Sequence, residues 1–179
     1  VDTDRQPDGA TGSVITFDAT DVLNWAVTLA NGPTAALWVA LWIKPVQVNN
    51  LQIFFSTMSG AASGNRFEAY IAATGKIAMA VYSNGVNDRT LTTTANGAVA
   101  NAVPAFVYLD FDSSRTGDDK SRIYVNGALI ASTASGAGTM TTLPVVTGSH
   151  IIGGRGDSDT PTLPLLSGAT IGQDIWVGN

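Results

Sequence analysis

The segment Arg122-Ile123-Tyr124-Val125-Asn126-Gly127-Ala128-Leu129-Ile130 has the form of a β-hairpin. Strand-forming residues flank Asn126-Gly127 on both sides. Both residues of this pair tolerate the positive φ that a two-residue hairpin turn requires. Three further Asn-Gly pairs, at 31–32, 84–85 and 96–97, mark other candidate turns. The pattern predicts antiparallel strands joined by tight turns.

Other short strand candidates recur at fairly regular intervals on both sides of this hairpin. They are Ser13–Phe17, Ala36–Lys44, Leu51–Ser56, Phe67–Ala72, Ile77–Ser83, Thr90–Thr94, Phe106–Phe111, His150–Gly153 and Ile171–Val177. Glu68 is the only glutamate among 14 acidic residues, and 19 glycines favour turns over long helices. We therefore predict an all-β protein with under about a tenth of its residues in helices. Residues 13–179 are predicted to form one domain after an N-terminal segment, 1–12, for which an extended conformation is left open.

The most apolar stretch, Ala36–Ile43, alternates large residues on two faces. Trp38 and Trp42 share one face, and Leu37, Val39, Leu41 and Ile43 share the other. A strand that is apolar on both faces is typical of the middle of a covered sheet. We predict that this strand is covered on both sides and that all four tryptophans, Trp25, Trp38, Trp42 and Trp176, belong to the core.

Composition excludes several classes of function. The 179 residues include no cysteine, so disulfides and thiolate metal sites are absent and the redox compartment is left open. The formal net charge is −5 and the nine basic residues are scattered, which disfavours nucleic acid and anionic membranes. The longest apolar run, Ala35–Ile43, is far shorter than the roughly 20 residues of a membrane helix.

Five motifs in order resemble the laminin-G-like, concanavalin A-like family. They are Leu41-Trp42-Ile43-Lys44-Pro45, the strand at Phe106–Asp112, the hairpin at Ile123–Gly127, His150-Ile151-Ile152-Gly153-Gly154, and Leu166-Ser167-Gly168 leading to Asp174–Val177. The resemblance implies a two-sheet antiparallel β-sandwich, or jelly roll. Such folds serve as lectins, adhesion modules, glycosidases and virion surface proteins, so the fold does not fix the function.

Residues for hydrolysis are sparse. Retaining glycosidases need two carboxylates about 5–5.5 Å apart. The Glu-x-Asp-x-x-Glu strand of jelly-roll glucanases cannot exist in a chain with one glutamate. Asp110 and Asp112 share one face of a strand, but we expect them to bind the backbone of the following turn. His150 is the only histidine and opens an apolar strand, so we assign it a structural role. No catalytic residue is predicted, and the chain is predicted not to be an enzyme.

Two oxygen-rich segments leave calcium open as a cofactor. Asp110–Asp119 contains four aspartates and two serines, and Asp157 with Asp159 forms a second pair. Ordinary solvated loops are the favoured interpretation of both, so no metal ligand is assigned. Arg155-Gly156-Asp157 matches a tripeptide that integrins recognise, but its glycine is expected to serve a turn.

A non-catalytic binding or adhesion module, glycan-recognising and exposed on a cell or virion surface, is the function predicted. The ligand-binding candidates are polar residues expected on loops: Asn65, Arg66, Asn87, Asp88, Arg89, Asp157 and Asp159. The alternative is a phage virion structural protein, a capsid decoration or fibre domain; a glycosidase or polysaccharide lyase ranks last. The expected partner is a glycan or another surface ligand. A homo-oligomer, with a trimer as the first guess, or a larger particle is expected, and the strand edge at Leu91–Ala95 is its candidate contact.

Overall fold

The computed structural model describes residues 14–18, 23–25, 36–45, 48, 51–58, 66–83, 86–136, 150–157, 160–164 and 167–178. Fifteen strands account for most of them. They are β1 (Val14–Asp18), β2 (Leu23–Trp25), β3 (Ala36–Lys44), β4 (Gln52–Met58), β5 (Arg66–Ala72), β6 (Lys76–Ser83), β7 (Val86–Thr93), β8 (Ala105–Asp112), β9 (Ser121–Val125), β10 (Ala128–Leu129), β11 (Ser132–Ser135), β12 (His150–Ile152), β13 (Gly154–Asp157), β14 (Thr160–Pro164) and β15 (Ser167–Gly178). The helical segments described are two short 3-10 turns, at Ala73–Gly75 and Gly117–Lys120.

Two antiparallel sheets form a sandwich, as predicted. One has six strands in the order β1-β15-β3-β8-β9-β10, and the other has seven in the order β11-β7-β6-β5-β4-β12-β2. A separate two-stranded ribbon pairs β13 with β14. β3 lies in the middle of the six-stranded sheet, between β15 and β8, as its apolar pattern indicates.

The core lies between the inner faces of the two sheets. Leu37, Val39, Leu41 and Ile43 of β3 are all buried there, in one cluster with Phe67 and Ile71 of β5 and Ile77 and Met79 of β6. The period of two in each strand places alternate residues in this cluster, which is why the apolar alternation predicted the strands. In β4 a bulge at Phe54 breaks the alternation, and Phe54 and Phe55 are both fully buried.

The Asn126-Gly127 turn has the predicted geometry. Asn126 has φ 51° and Gly127 has φ 82°, and Val125 pairs with Ala128 across the turn. Positive φ at both central residues defines the two-residue hairpin turn whose twist matches that of the flanking strands. The Asn-Gly pairs at 31–32 and 84–85 lie outside the described residues, as do residues 1–12. At 96–97, the pair lies in the long connection from β7 to β8.

The structure corrects three local predictions. The tripeptide Arg155-Gly156-Asp157 lies within strand β13, paired with β14, and not in a turn. β7 begins at Val86, so the segment 86–89 is strand because it pairs with β6. The segment Leu91–Ala95 is not a free edge: β11 pairs with β7 over Thr90–Thr93 and covers it.

The assignment of tryptophans to the core is wrong for Trp42, which is 46% exposed, and Trp38 is only partly buried. β3 is central in its sheet, but among the described residues its outer face is incompletely covered. Being in the middle of a sheet satisfies backbone hydrogen bonds on both sides of a strand; it does not cover both faces. The core assignment of Trp25 and Trp176 stays a prediction.

Candidate functional site

Aromatic side chains occupy the outer face of the six-stranded sheet. Strands β3, β8 and β9 point Leu, Val and Ile side chains inward, so the alternate residues of each strand point outward. The aromatic members of this outward set are Trp38, Trp42, Phe106, Tyr108 and Tyr124, which we term the aromatic face. None of these rings belongs to the core cluster.

Strand pairing brings these rings into contact. Trp42 is opposite Phe106 and their ring centroids are 5.5 Å apart. Tyr108 is opposite Tyr124 at a centroid distance of 5.5 Å, and Trp38 stacks on Tyr108 at 6.2 Å. Cross-strand aromatic pairs at these separations stabilise a sheet by roughly 0.2–1 kcal/mol each. The rings pack against one another, and none of these five residues is fully buried.

A shallow depression of about 210 Å³ lies on the aromatic face between Phe106, Tyr108, Tyr124 and Gly127. Its rim is the β9–β10 turn, where a side chain added at Gly127 would meet no atom within 4 Å. At the same rim, the Phe106 backbone N–H donates to Asn126 Oδ1 at 2.9 Å. Because this bond uses the amide oxygen of Asn126, its two Nδ2–H donors take no part in it.

Charged residues border the aromatic face at the Trp38 end. The Arg115 guanidinium donates from Nη1 and Nη2 to the two carboxylate oxygens of Asp110, at 2.8 and 3.0 Å. Its Nε also lies 3.3 Å from Asp112 Oδ2. Hydrogen bonding to Asp110 raises the pKa of Arg115 further, so this guanidinium stays charged. Such bidentate pairs are among the stronger charge-assisted hydrogen bonds in proteins.

Asp112 accepts a hydrogen bond from the backbone of the turn that follows its strand, as predicted, whereas Asp110, for which the same was predicted, binds the Arg115 side chain. Ser114 donates to Asp112 Oδ1 from its hydroxyl at 2.6 Å and from its backbone N–H at 2.9 Å. These two bonds, the hydroxyl bond first, hold the pKa of Asp112 below its usual value. Burial, and then the Asp110 charge, raise the pKa of the neighbouring Tyr108, which stays neutral at physiological pH.

The outer face of the seven-stranded sheet is different in kind. Small residues occupy its centre, where Ser56, Ala78 and Ala80 are all fully buried. Beside them Arg66 Nε lies 2.9 Å from Glu68 Oε1, as an ion pair and not an aligned hydrogen bond, with 12% and 5% of the two side chains exposed. The Arg66 guanidinium also stacks 3.6 Å above the Tyr82 ring. We term this surface the closed face.

The residues predicted to bind ligand do not form one cluster of loops. Arg66 begins β5 on the closed face, and strand register sets it in one row with Tyr82 and Asn87. Asp88 and Arg89 lie on β7 and Asp157 lies on β13, so all of these are strand residues. Asn65 and Asp159 lie outside the described residues. The structure brings Arg66 and Asn87 into one row and leaves the role of the whole set untested.

No group of three or more His, Cys, Asp or Glu residues suited to a metal ion occurs in the part of the chain that the structure describes. At the oxygen-rich segment Asp110–Asp119, the Arg115 guanidinium binds the Asp110 carboxylate and lies beside that of Asp112.

Among the residues that the structure describes, no helix is long and apolar enough to cross a membrane.

The family model described as the concanavalin A-like lectin/glucanases superfamily, of laminin-G type, matches residues 15–171. The chain belongs to this superfamily. No curated protein sequence matches it.

Solved structures share the fold at low sequence identity. A heptameric SAP-like pentraxin from Limulus polyphemus is 18% identical with a TM-score of 0.63, over 92% of this chain and 74% of the pentraxin chain. Domains LG4-5 of the mouse laminin alpha1 chain are 17% identical with a TM-score of 0.65, over 99% of this chain and 44% of that one. The CBM40 of a Ruminococcus gnavus IT-sialidase, in a structure bound to alpha2,3 sialyllactose, is 16% identical with a TM-score of 0.52, over 88% and 94%.

Sequence reasoning missed the aromatic face although its signal is present in the chain. In Phe106–Asp112, the residues Phe106, Tyr108, Asp110 and Asp112 share one period of two, and Val107, Leu109 and Phe111 share the other. All three residues of the second set lack a polar group, whereas the first set includes a tyrosine and two aspartates. The first set therefore had the composition of an accessible face, and strand pairing extends it to Trp38 and Trp42.

Proposed function

We propose that this protein is a non-catalytic glycan-binding module and that the aromatic face is its binding surface. The observation that carries the proposal is a set of contacting aromatic rings, with Trp42 46% exposed, outside the core of the sandwich. Contiguous aromatic rings that are accessible on one sheet face are typical of a binding surface, because a partner that covers them removes apolar area from water. Family membership narrows the kinds of partner, since the superfamily includes lectins.

Sugar rings suit this surface chemically. A pyranose has an apolar face of C–H groups that stacks on aromatic rings, and hydroxyls at its edge that need hydrogen-bond partners. Tyr108 and Tyr124 supply both a ring and a hydroxyl, and the Asn126 amide supplies donors at the rim of the depression. The similar CBM40 structure with bound sialyllactose gives this proposal a precedent within the fold.

The absence of catalysis is part of the proposal. A glycosidase needs one carboxyl group with a raised pKa to act as an acid. Beside the aromatic face, the Asp110 carboxylate is held in a bidentate ion pair, and the pKa of Asp112 is lowered. The lowered pKa of Asp112 favours its ionised form, which suits an acceptor for sugar hydroxyls and not a general acid, and both oxygens of Asp110 are already bound by Arg115.

The test is a glycan array probed with the wild type and with the double variant Trp42→Ala/Tyr108→Ala. We expect binding by the wild type and a loss of at least about tenfold in the variant, because two stacking contacts are removed. Leu51→Ala is the matched control, since Leu51 is also exposed, at 51%, and lies outside the aromatic face. Equal binding by the wild type and the double variant would contradict the site, and no binding by any of them would contradict the function.

The seven residues predicted from the sequence, Asn65, Arg66, Asn87, Asp88, Arg89, Asp157 and Asp159, remain a second proposed location. Arg66 is already engaged by Glu68 and Tyr82, which leaves its guanidinium little freedom to bind a ligand. The variant Arg89→Ala on the same array separates the two locations. If the aromatic face binds the glycan, affinity is unchanged in Arg89→Ala.

We propose that the module acts in several copies on an extracellular or virion surface. A shallow, open site binds weakly, and display in many copies raises avidity by roughly 10²–10⁴-fold. A phage decoration or fibre domain is the alternative, in which the aromatic face would contact a neighbouring subunit. Light scattering measures the oligomeric state, and a fixed copy number in purified particles, with no glycan bound, would favour the virion role.

A further inference from the structure

We infer that the aromatic face binds the interior of a neutral, linear oligosaccharide and not a terminal acidic sugar. This inference rests on the proposed function and specifies the class of ligand. It follows from how the charged groups beside the face are engaged and from the length over which the rings extend.

The arginines near the face are already paired with carboxylates. Arg115 binds both oxygens of Asp110 and lies next to Asp112, and Arg122 Nη2 lies 3.5 Å from Asp119 Oδ1. Recognition of a carboxylated or sulfated sugar typically uses an arginine whose fork is available for a bidentate contact. To bind an acidic sugar, Arg115 would have to give up its bond to Asp110, a partly buried carboxylate.

With these ion pairs formed, the net charge at the Trp38 end of the aromatic face is zero or negative. The pKa of Asp112 is lowered, so this carboxylate stays ionised through the physiological range. The exposed cation on the outward period of β3 is Lys44, two residues beyond Trp42 at the opposite end. A neutral sugar is not repelled by the Asp112 carboxylate, and it does not require the Lys44 cation as a binding partner.

The rings extend along the strands at three levels. Trp38 lies at the first, Tyr108 with Tyr124 at the second, and Trp42 with Phe106 at the third, each two residues from the next in register. At about 3.3 Å per residue, the levels span roughly 13 Å, which is longer than one sugar ring. Since Trp42 at one end is 46% exposed, a chain can continue past it. A surface of this form accepts a run of successive sugar units.

The experiment is titration calorimetry with two ligand series that share a backbone. The neutral series is β-1,4-linked manno-oligosaccharides of two to six units, beside gluco- and galacto-oligosaccharides of the same lengths. The acidic series is β-1,4-linked mannuronate oligomers, beside sialyllactose. We expect at least one neutral series to bind, with affinity rising about fivefold for each added ring contact. The affinity of that neutral series should not depend on salt, because screening acts on charges.

Single variants at the ends of the face test binding across its length. Trp38→Ala and Trp42→Ala should each weaken binding of a hexasaccharide about five- to tenfold and binding of a disaccharide less than twofold. Leu51→Ala is the control for both. Equal losses for the disaccharide and the hexasaccharide would overturn binding across several sugar units.

The outcomes separate this inference from the proposed function. If an acidic ligand binds most tightly and Lys44→Met abolishes that binding, the inference is wrong while the proposed function stands. If no oligosaccharide of either class binds, the proposed function is contradicted and the inference falls with it.

Discussion

The outer faces of the two sheets differ in burial: one is closed by small buried residues, and the other carries aromatic rings that are partly accessible. Both sheets bury one face in a shared core, and each must also make its other face compatible with its surroundings. On the closed face the central positions hold Ala78 and Ala80, which are fully buried, and a buried Arg66–Glu68 ion pair. The corresponding surface of the other sheet has large rings that are partly accessible, and the ion pairs found among its described residues lie at one end.

The difference separates a role in stability from a role in binding. A buried ion pair is costly to desolvate, and removal of either partner leaves an uncompensated charge, so the closed face is sensitive to substitution. The rings of the aromatic face gain only part of their burial free energy within the chain. Substitutions there should affect a partner more than the fold. The five predictions below test this division, from the largest expected effect to the smallest.

Glu68→Ala should lower the free energy of unfolding by about 3 kcal/mol, because it leaves the Arg66 guanidinium in a buried position without its carboxylate. Urea denaturation measures the change. The double variant Arg66→Met/Glu68→Leu is the control, and it should recover most of the loss because both charges are removed together. A loss below about 1 kcal/mol in Glu68→Ala would show that the closed face is not a stability element.

Gly127→Val should lower the free energy of unfolding by about 2 kcal/mol. Gly127 has φ 82°, which a β-branched residue adopts only with strain, while the added side chain itself meets open space. Gly127→Asn is the control, since asparagine tolerates positive φ and should cost much less. Thermal unfolding distinguishes the two, and equal melting temperatures would contradict the role of the turn conformation.

Trp42→Ala should cost only about 1 kcal/mol of stability, although it removes one of the two largest side chains on β3. In a core the same change costs roughly 3–5 kcal/mol, but Trp42 is 46% exposed and contacts Phe106. Phe55→Ala, at a fully buried ring, is the matched comparison and should show the core value. Similar losses for the two variants would mean that the aromatic face is part of the core.

Alkaline pH should lower the free energy of unfolding through Tyr70, which lies on the closed face. Burial, followed by the charges of Tyr82 and Glu68, raises the pKa of Tyr70 to about 12 from a usual value of 10.0. The unfolded chain therefore loses this proton at lower pH than the folded chain, and stability falls as pH rises between 10 and 12. Tyr70→Phe should remove about 1 kcal/mol of that loss at pH 11, after allowance for solvent screening. Spectrophotometric titration near 295 nm should show late ionisation of tyrosine, and its amplitude should be smaller in the variant because Tyr70 no longer contributes.

The smallest effect is expected at the charged end of the aromatic face. The pKa of Asp112 is lowered, so its contribution to stability is present above the unfolded value of 3.8 and is lost as pH falls through the folded value. Ser114→Ala should raise that pKa toward 3.8, because the hydroxyl bond at 2.6 Å is lost while the backbone bond remains. Carbon-13 titration of the Asp112 carboxyl measures this, and an unchanged pKa would contradict the role of the hydroxyl.

Local chemistry allowed the strands and the hairpin to be predicted. The apolar alternation of Ala36–Lys44 defines a strand, and this strand is observed with the same ends. Asn126-Gly127 requires a specific turn, which the structure has. The order of motifs along the chain was enough to identify the superfamily that the family model matches. Such features depend on neighbours within a few residues, so the sequence carries them directly.

Tertiary pairing alone decided which face of a strand is accessible. From the sequence, Trp38 and Trp42 look like core residues because they are large and apolar, and Arg66 looks like a ligand-binding residue because it is charged. The structure reverses both: Trp42 is exposed at the surface, and Arg66 is partly buried and engaged by Glu68 and Tyr82. The two faces of a strand are equivalent in its own sequence period, and only the packing of the second sheet against one of them makes that face the core. The sequence therefore determined the strands and turns, whereas packing between the sheets determined the aromatic face.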